Sequence, residues 1–305
     1  MGDSMGFFIV FQQSVLPLFL IIGVALIYNR FFKPNIREIT SLTLTVFAPV
    51  FVFDSIVKHS ISLGTLKAPF VFMVVLTSLL LALSYAAGRL LRLQDNDRIS
   101  FILACSMINI GNFGLPLIYF TYGEQAVSYS VVYFIAFNFA LSTVAIYVSS
   151  NASGFKHIML DLFKMPLFHA FFLAIFVVQV SLQLPEFVEK SFGLIGQATI
   201  PLLIFILGLQ LANTRFQSKF LKIIGVAVVI RLLISPLITY PLLDLFSVAG
   251  LEQKIATLQT SAPSALLPLM YAIKFNRSPD LLASIILATT VLSSISLTGL
   301  IHWMG

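Results

Sequence analysis

The sequence predicts an all-α polytopic membrane protein of ten transmembrane helices, built as two inverted five-helix repeats, with the fourth and ninth helices broken near their middles. Three observations predict it. Of 305 residues, 59% are hydrophobic and 10% charged, whereas soluble domains run at about half and a quarter. Apolar segments close to the ~20 residues that cross a bilayer recur along the whole chain. A short motif also recurs at a fixed offset that divides those segments into two sets of five.

Taken in order, the spans run at about 7–28, 39–57, 69–90, 99–121, 126–148, 166–184, 191–212, 221–245, 253–273 and 280–303, separated by charged or turn-rich punctuation. The opening "MGDSMGFFIV" enters its apolar run without a Lys or Arg, so that run is read as a retained span rather than a cleaved leader. The most polar connections, "NRFFKPNIRE" after span 1 and "SNASGFKHIMLDLFKMP" after span 5, are too short to hold a soluble domain.

Basic residues set the expected orientation, because short loops rich in Lys and Arg stay in the cytoplasm. Loops after odd-numbered spans hold Arg30, Lys33, Arg37, Arg89, Arg92, Arg98, Lys156, Lys164, Arg215, Lys219, Lys222, Lys274 and Arg277. Loops after even-numbered spans hold only Lys58, Lys67, Lys190 and Lys254. Both termini are therefore expected outside, in the periplasm of a cell with the chain in its inner membrane. The net charge of +6 is this bias; no basic face exists beyond the membrane to bind nucleic acid. The glycosylation patterns at Asn151 and Asn276 would face inward and carry little weight. His59, His157, His169 and His302 fall at or near span ends and read as interfacial.

The repeat is read from "LPLIY" at Leu115–Tyr119 and "LPLMY" at Leu267–Tyr271, an offset of 152 that also carries Pro49 of span 2 onto Pro201 of span 7. Five is odd, so the second half enters the membrane from the other side, as in many secondary transporters. The halves are 1–150 and 151–305. Within the repeated segments "NIGNFGLPL", from Asn109, and "SAPSALLP", from Ser261, place Asn, Gly, Ser and Pro where a span should be continuous. A broken helix in hydrocarbon leaves amides and carbonyls that cost several kcal/mol each unless protein or a water-lined cavity satisfies them. Such breaks persist where they line a site. The half-helices beginning near Gly114 and Ala265 point partly positive N-termini inward, which favours an anion. The alternative is a simple kink in which Asn109 and Asn112 bond the freed carbonyls.

The motifs "FAPVFVF", "NIGNFGLPLIYFTYGE", "ATIPLLIFILGLQLA", "RLLISP" and "SAPSALLPLMYAIKFNRSPDLLAS" resemble those of the auxin efflux carrier family over essentially the whole chain. That family includes plant auxin exporters and bacterial carriers of malonate and related acids, within the bile acid, arsenite and riboflavin transporter superfamily. The resemblance implies that spans 4 and 9 cross at the midplane. It implies a scaffold of spans 1, 2, 6 and 7, a mobile core of spans 3–5 and 8–10, a homodimer and an elevator-like motion. It also implies that Asn109 meets the substrate carboxylate. The long cytoplasmic loop of many plant members is missing, and their serine three residues after the span 2 proline is Val52 here, which speaks against auxin itself.

The candidate substrate site thus comprises Asn109, Gly111, Asn112, Gly114 and Pro116 of the first break, Ser261, Pro263, Ser264 and Pro268 of the second, and Asn138 of span 5. Asn138 and Gln197 either line a cavity or cross-link helices. Arg231 lies nine residues beyond Lys222, ~13 Å along a helix, and is read either as attracting a carboxylate or, preferably, as an internal tie to helix carbonyls or an acid. Asp54 is read as a proton-coupling group or, preferably, as the ion-pair partner of Lys58 four residues on. The expected function is secondary active transport of small organic anions, with H+ or Na+ as coupling ion and no cofactor. The alternatives are an anion channel or a substrate-sensing receptor on the same fold. An intramembrane enzyme is disfavoured because no nucleophile motif, zinc motif or histidine pair is present. The single Cys105 reads as a small buried apolar residue.

Overall fold

The computed structural model describes residues 6–149 and 164–305, so Asn151, Lys156 and His157 lie outside the described residues. Among the described residues there are helices and no strands. In chain order they are α1 (Phe7–Phe32), α2 (Ile36–Lys58) and α3 (Leu63–Leu90), then α4 (Asp95–Ser106) and α5 (Leu115–Tyr122), then α6 (Glu124–Ser149) and α7 (Pro166–Gln179). They continue with α8 (Glu186–Ala212) and α9 (Ser218–Leu245), α10 (Gly250–Thr260) and α11 (Leu267–Lys274), and α12 (Pro279–Met304).

Seven of these, α1, α2, α3, α6, α8, α9 and α12, are 23 to 28 residues long and each is apolar over most of its length. At 1.5 Å per residue each exceeds the ~30 Å hydrocarbon layer. Their outer faces are apolar too: Leu20, Leu194, Leu237 and Ile295 expose more than half of their surface. Lipid, not water, suits such a face. Buried hydroxyls meanwhile return hydrogen bonds to their own helix, as Ser106 Oγ does to Ile102 O at 2.6 Å and Thr290 Oγ1 to Ile286 O at 2.8 Å.

Prolines shape these helices. Each of four π-helical turns, Phe11–Val15, Thr43–Phe47, Ile110–Gly114 and Ile230–Ile234, is followed two residues later by a proline: Pro17, Pro49, Pro116 and Pro236. The cause is local, since a proline ring clashes with the carbonyl four residues back and supplies no N–H, so the preceding turn opens by one residue. Pro69 is tolerated inside α3. That helix starts at Leu63, six residues before the apolar segment at 69, because its polar first turns continue the helix beyond the apolar window.

The helix α8 packs on α1 and α2, and α2 also packs on α7. In a second group α3 packs on α4 and α6, and α12 packs on α4 and α9. Between α8 and α2, Thr199 Oγ1 donates to Phe47 O at 3.0 Å, joining two residues 152 apart, the same offset as the repeated motif. Where α8 meets α1 the backbones nearly touch. A Cβ built on Gly208 would lie 2.6 Å from Ala25 Cβ and 2.9 Å from Ile22 O, and the backbone contact cannot rotate away. Gly208→Ala is expected to destabilise the protein by about 1–3 kcal/mol through this overpacking; an unchanged thermal unfolding midpoint for the purified variant would refute the contact.

Candidate functional site

Between α4 and α5 the chain leaves the helix at Met107 with φ −93° and ψ 119°. It runs extended to Asn109 and re-enters through the wide turn Ile110–Gly114. Between α10 and α11 it is likewise non-helical over Ala262–Leu266. The two interruptions meet. Asn109 N donates to Pro263 O at 2.8 Å and Ala265 N donates to Met107 O at 2.9 Å, a short antiparallel pair centred on Ile108 and Ser264. Each break thus satisfies backbone groups that the other exposes.

The local two-fold of this pair relates Met107 to Pro263 and Asn109 to Ala265, an offset of 156, four more than the 152 of "LPLIY" and "LPLMY". The first break therefore holds four more residues than the second between the pairing and its outgoing helix. Those residues belong to the five-residue turn Ile110–Gly114, closed by Gly114 N donating to Asn109 O at 3.0 Å. Glycine is needed there: a Cβ at Gly111 would lie 2.7 Å from Phe134 Cε2, and one at Gly114 would lie 2.9 Å from Gln259 Cγ. The turn packs against α8 and α10, and Phe113 meets Phe19 of α1 edge-on at 6.3 Å.

Arg231 is fully buried and touches the C-terminal ends of both incoming helices. Its Nη1 donates to Cys105 O of α4 at 3.3 Å, and its Nη2 donates to Thr260 O of α10 and to Ser235 Oγ at 2.8 Å. Two helix C-termini each carry about −0.5 charge. One guanidinium, charged at neutral pH, offsets both. The internal tie to helix carbonyls is the arrangement the structure has, and no carboxylate of the protein bonds the guanidinium among the described residues.

Near this centre several polar atoms have no protein partner. Asn109 is 5% exposed and its Nδ2 makes no hydrogen bond. Gln259 Nε2 donates to Ile110 O at 3.3 Å and Ser130 O at 3.1 Å, while its Oε1 is unpartnered, as is Ser130 Oγ. The remaining candidates are bonded otherwise. Ser264 Oγ donates to Ala104 O at 2.7 Å, and Ser261 Oγ to Thr257 O at 2.6 Å. Asn112 is half-buried, and Pro116 and Pro268 are buried at the second residues of α5 and α11. Asn138 Nδ2 donates to Phe134 O of its own helix at 2.7 Å, so this bond cross-links nothing.

The chain matches the family model described as membrane transport protein over residues 10–157 and 153–301. It belongs to that family, the auxin efflux carriers. An uncharacterised transporter of Methanocaldococcus jannaschii is 27% identical over 290 residues, covering 92% of this chain and 93% of its own. An uncharacterised transporter of Methanothermobacter thermautotrophicus is 25% identical over 288 residues, covering 93% and 94%. This family member is accordingly a multi-pass membrane transporter.

Two expectations need correction. Lys58 does not pair with Asp54: its Nζ bonds Glu124 Oε1 at 2.8 Å, because Gly123, at φ 81°, turns the start of α6 toward the end of α2. Asp54 is half-buried and faces Gly193 and Gly196 of α8, not the breaks. Gln197 is exposed. Sequence reading missed Gln259, although a glutamine in the apolar run "KIATLQTSAPS" signalled it as plainly as Gln197 signalled itself. Removing the guanidinium should loosen both incoming helices at once. Arg231→Met is expected to lower stability by on the order of 3 kcal/mol, with Arg231→Lys in between, and equal unfolding midpoints for all three proteins would disprove the tie.

Proposed function

We propose that this family member is a secondary active transporter of small organic anions, carboxylates in particular. The observation that carries the reading is Asn109 Nδ2, a buried carboxamide donor without a protein partner, beside the start of α5. A buried N–H left unpaired costs about 1–3 kcal/mol, and a carboxylate supplies the missing acceptor. Charge supports the same choice. With both incoming C-termini offset by Arg231, the outgoing helices α5 and α11 leave two N-termini of about +0.5 each. Their sum suits one monoanion.

On this reading the paired half-helices α4–α5 and α10–α11 are two further spans crossing at mid-membrane, and with α7 they bring the count to ten. The helices α1, α2, α7 and α8 form the scaffold through which two copies pair as a homodimer. The others form the core that carries the substrate in an elevator motion, with the turn Ile110–Gly114 against α8 at the boundary. Both termini lie outside the cell membrane.

Reconstituted into liposomes, the protein should show counterflow: unlabelled acid on the far side accelerates entry of labelled acid, which a channel does not produce. Absence of any carboxylate flux under sodium and proton gradients would overturn the assignment. Asn109→Ala should cut uptake at least about tenfold by losing a charge-assisted hydrogen bond, at matched expression and unfolding midpoint. Normal uptake by that variant would remove Asn109 from the site. Gly111→Ala should also slow transport, because Phe134 must move to admit the methyl group; wild-type rates would show that the turn has room to spare.

A further inference from the structure

Where α1 ends and α2 begins, the chain frames a cavity of about 590 Å³ lined by Asn29, Arg30, Phe31, Lys33 and, from α8, Asn213. That volume falls within the range of small-ligand clefts. The cavity lies apart from the two breaks: Asn29 is ten residues, ~15 Å of helix, beyond Phe19, the α1 residue that touches Phe113. Its rim is fixed by Asn213 Nδ2, which donates to Asn29 Oδ1 at 3.4 Å and to Leu209 O at 2.9 Å, and by Lys33, which ends α1 in the left-handed region at φ 44°.

Two cations line this cavity and no acid does. Among the described residues neither the Arg30 guanidinium nor the Lys33 ammonium has an ion pair; the salt bridges all involve other bases. Glu38, the acid of the same connection, accepts from Asn35 Nδ2 at 2.6 Å and does not line the cavity. Beside the cations the surface turns apolar at once, with Ile27, Phe31 and Phe32 exposed at 62%, 74% and 69%. A fork of donors at the polar end of a lipid-facing aromatic wall matches a phosphate group whose apolar tail lies along α1.

We propose that Arg30 and Lys33, with the side-chain amide of Asn29, which Asn213 holds in place through its oxygen, form a binding site for a phosphate group at the basic end of α1. The group comes from an acidic phospholipid or from free phosphate. The site neither uses nor depends on the transported anion.

The test measures the unfolding midpoint of the whole purified protein in detergent, titrated separately with phosphatidylglycerol, phosphatidylcholine and inorganic phosphate. Stabilisation by phosphatidylglycerol alone assigns the site to lipid, and stabilisation by inorganic phosphate as well assigns it to the free anion; both support the proposal. Arg30→Gln and Lys33→Gln should each weaken the response about fivefold, from about 1 kcal/mol per charge. Lys67→Gln, an exposed charge in the first turns of α3, should leave it unchanged. No response beyond that to phosphatidylcholine, or equal responses from wild type and both single variants, overturns the proposal.

Discussion

The architecture around the site depends on one arrangement, the meeting of two broken helices whose backbones complete each other. A backbone amide or carbonyl without a partner in hydrocarbon costs several kcal/mol, so neither break is tenable alone. The pair of hydrogen bonds across Ile108 and Ser264 removes part of that cost. Ser264 Oγ, bonded to Ala104 O, and Thr289 Oγ1, accepting from Ser264 N at 3.3 Å, remove more. Arg231 then closes the far side, where Cys105 O and Thr260 O would otherwise face an apolar interior. The packing of α3, α6, α9 and α12 follows, since these helices enclose a centre that is polar in its backbone and apolar in most of its side chains.

The helix segments were legible because bilayer thickness imposes length and apolarity on each, and both are visible in one dimension. The breaks were legible for the same reason: Asn, Gly, Ser and Pro in the middle of such a segment oppose the rule that made the segment. The pairing register was not. A motif offset of 152 aligns the outgoing helices α5 and α11, but the pairing across the breaks has an offset of 156. The four-residue difference sits in the turn Ile110–Gly114, where no repeated motif marks it. Aligned by motif alone, Asn112 corresponds to Ser264; across the breaks, Asn109 corresponds to Ala265.

Side-chain partners were legible only where burial restricted the choice. Arg231 in mid-span had few possible partners, and carbonyl ends of helices are the commonest acceptors there, so the tie could be named though its two recipients could not. Lys58 at a span end had a free choice. Asp54 four residues back and Glu124 far along the chain were equivalent by chemistry, and the turn at Gly123 decided between them. Both partners are more than half exposed, so the pair is worth at most about 1 kcal/mol and orients α6 more than it stabilises it. Gln259 escaped notice because its role rests on a contact with Gly114 that only the folded chain creates.

The register difference bears on the proposed substrate. Because the local two-fold relates Asn109 to Ala265, a backbone that is nearly symmetric carries unlike side chains at equivalent positions: a carboxamide at one and a methyl group at the other. Two matching amides would suit a ligand charged at both ends. Under the proposed function, one amide with a methyl group at the equivalent position instead suits an acid whose single carboxylate would meet Asn109 and whose remainder is apolar.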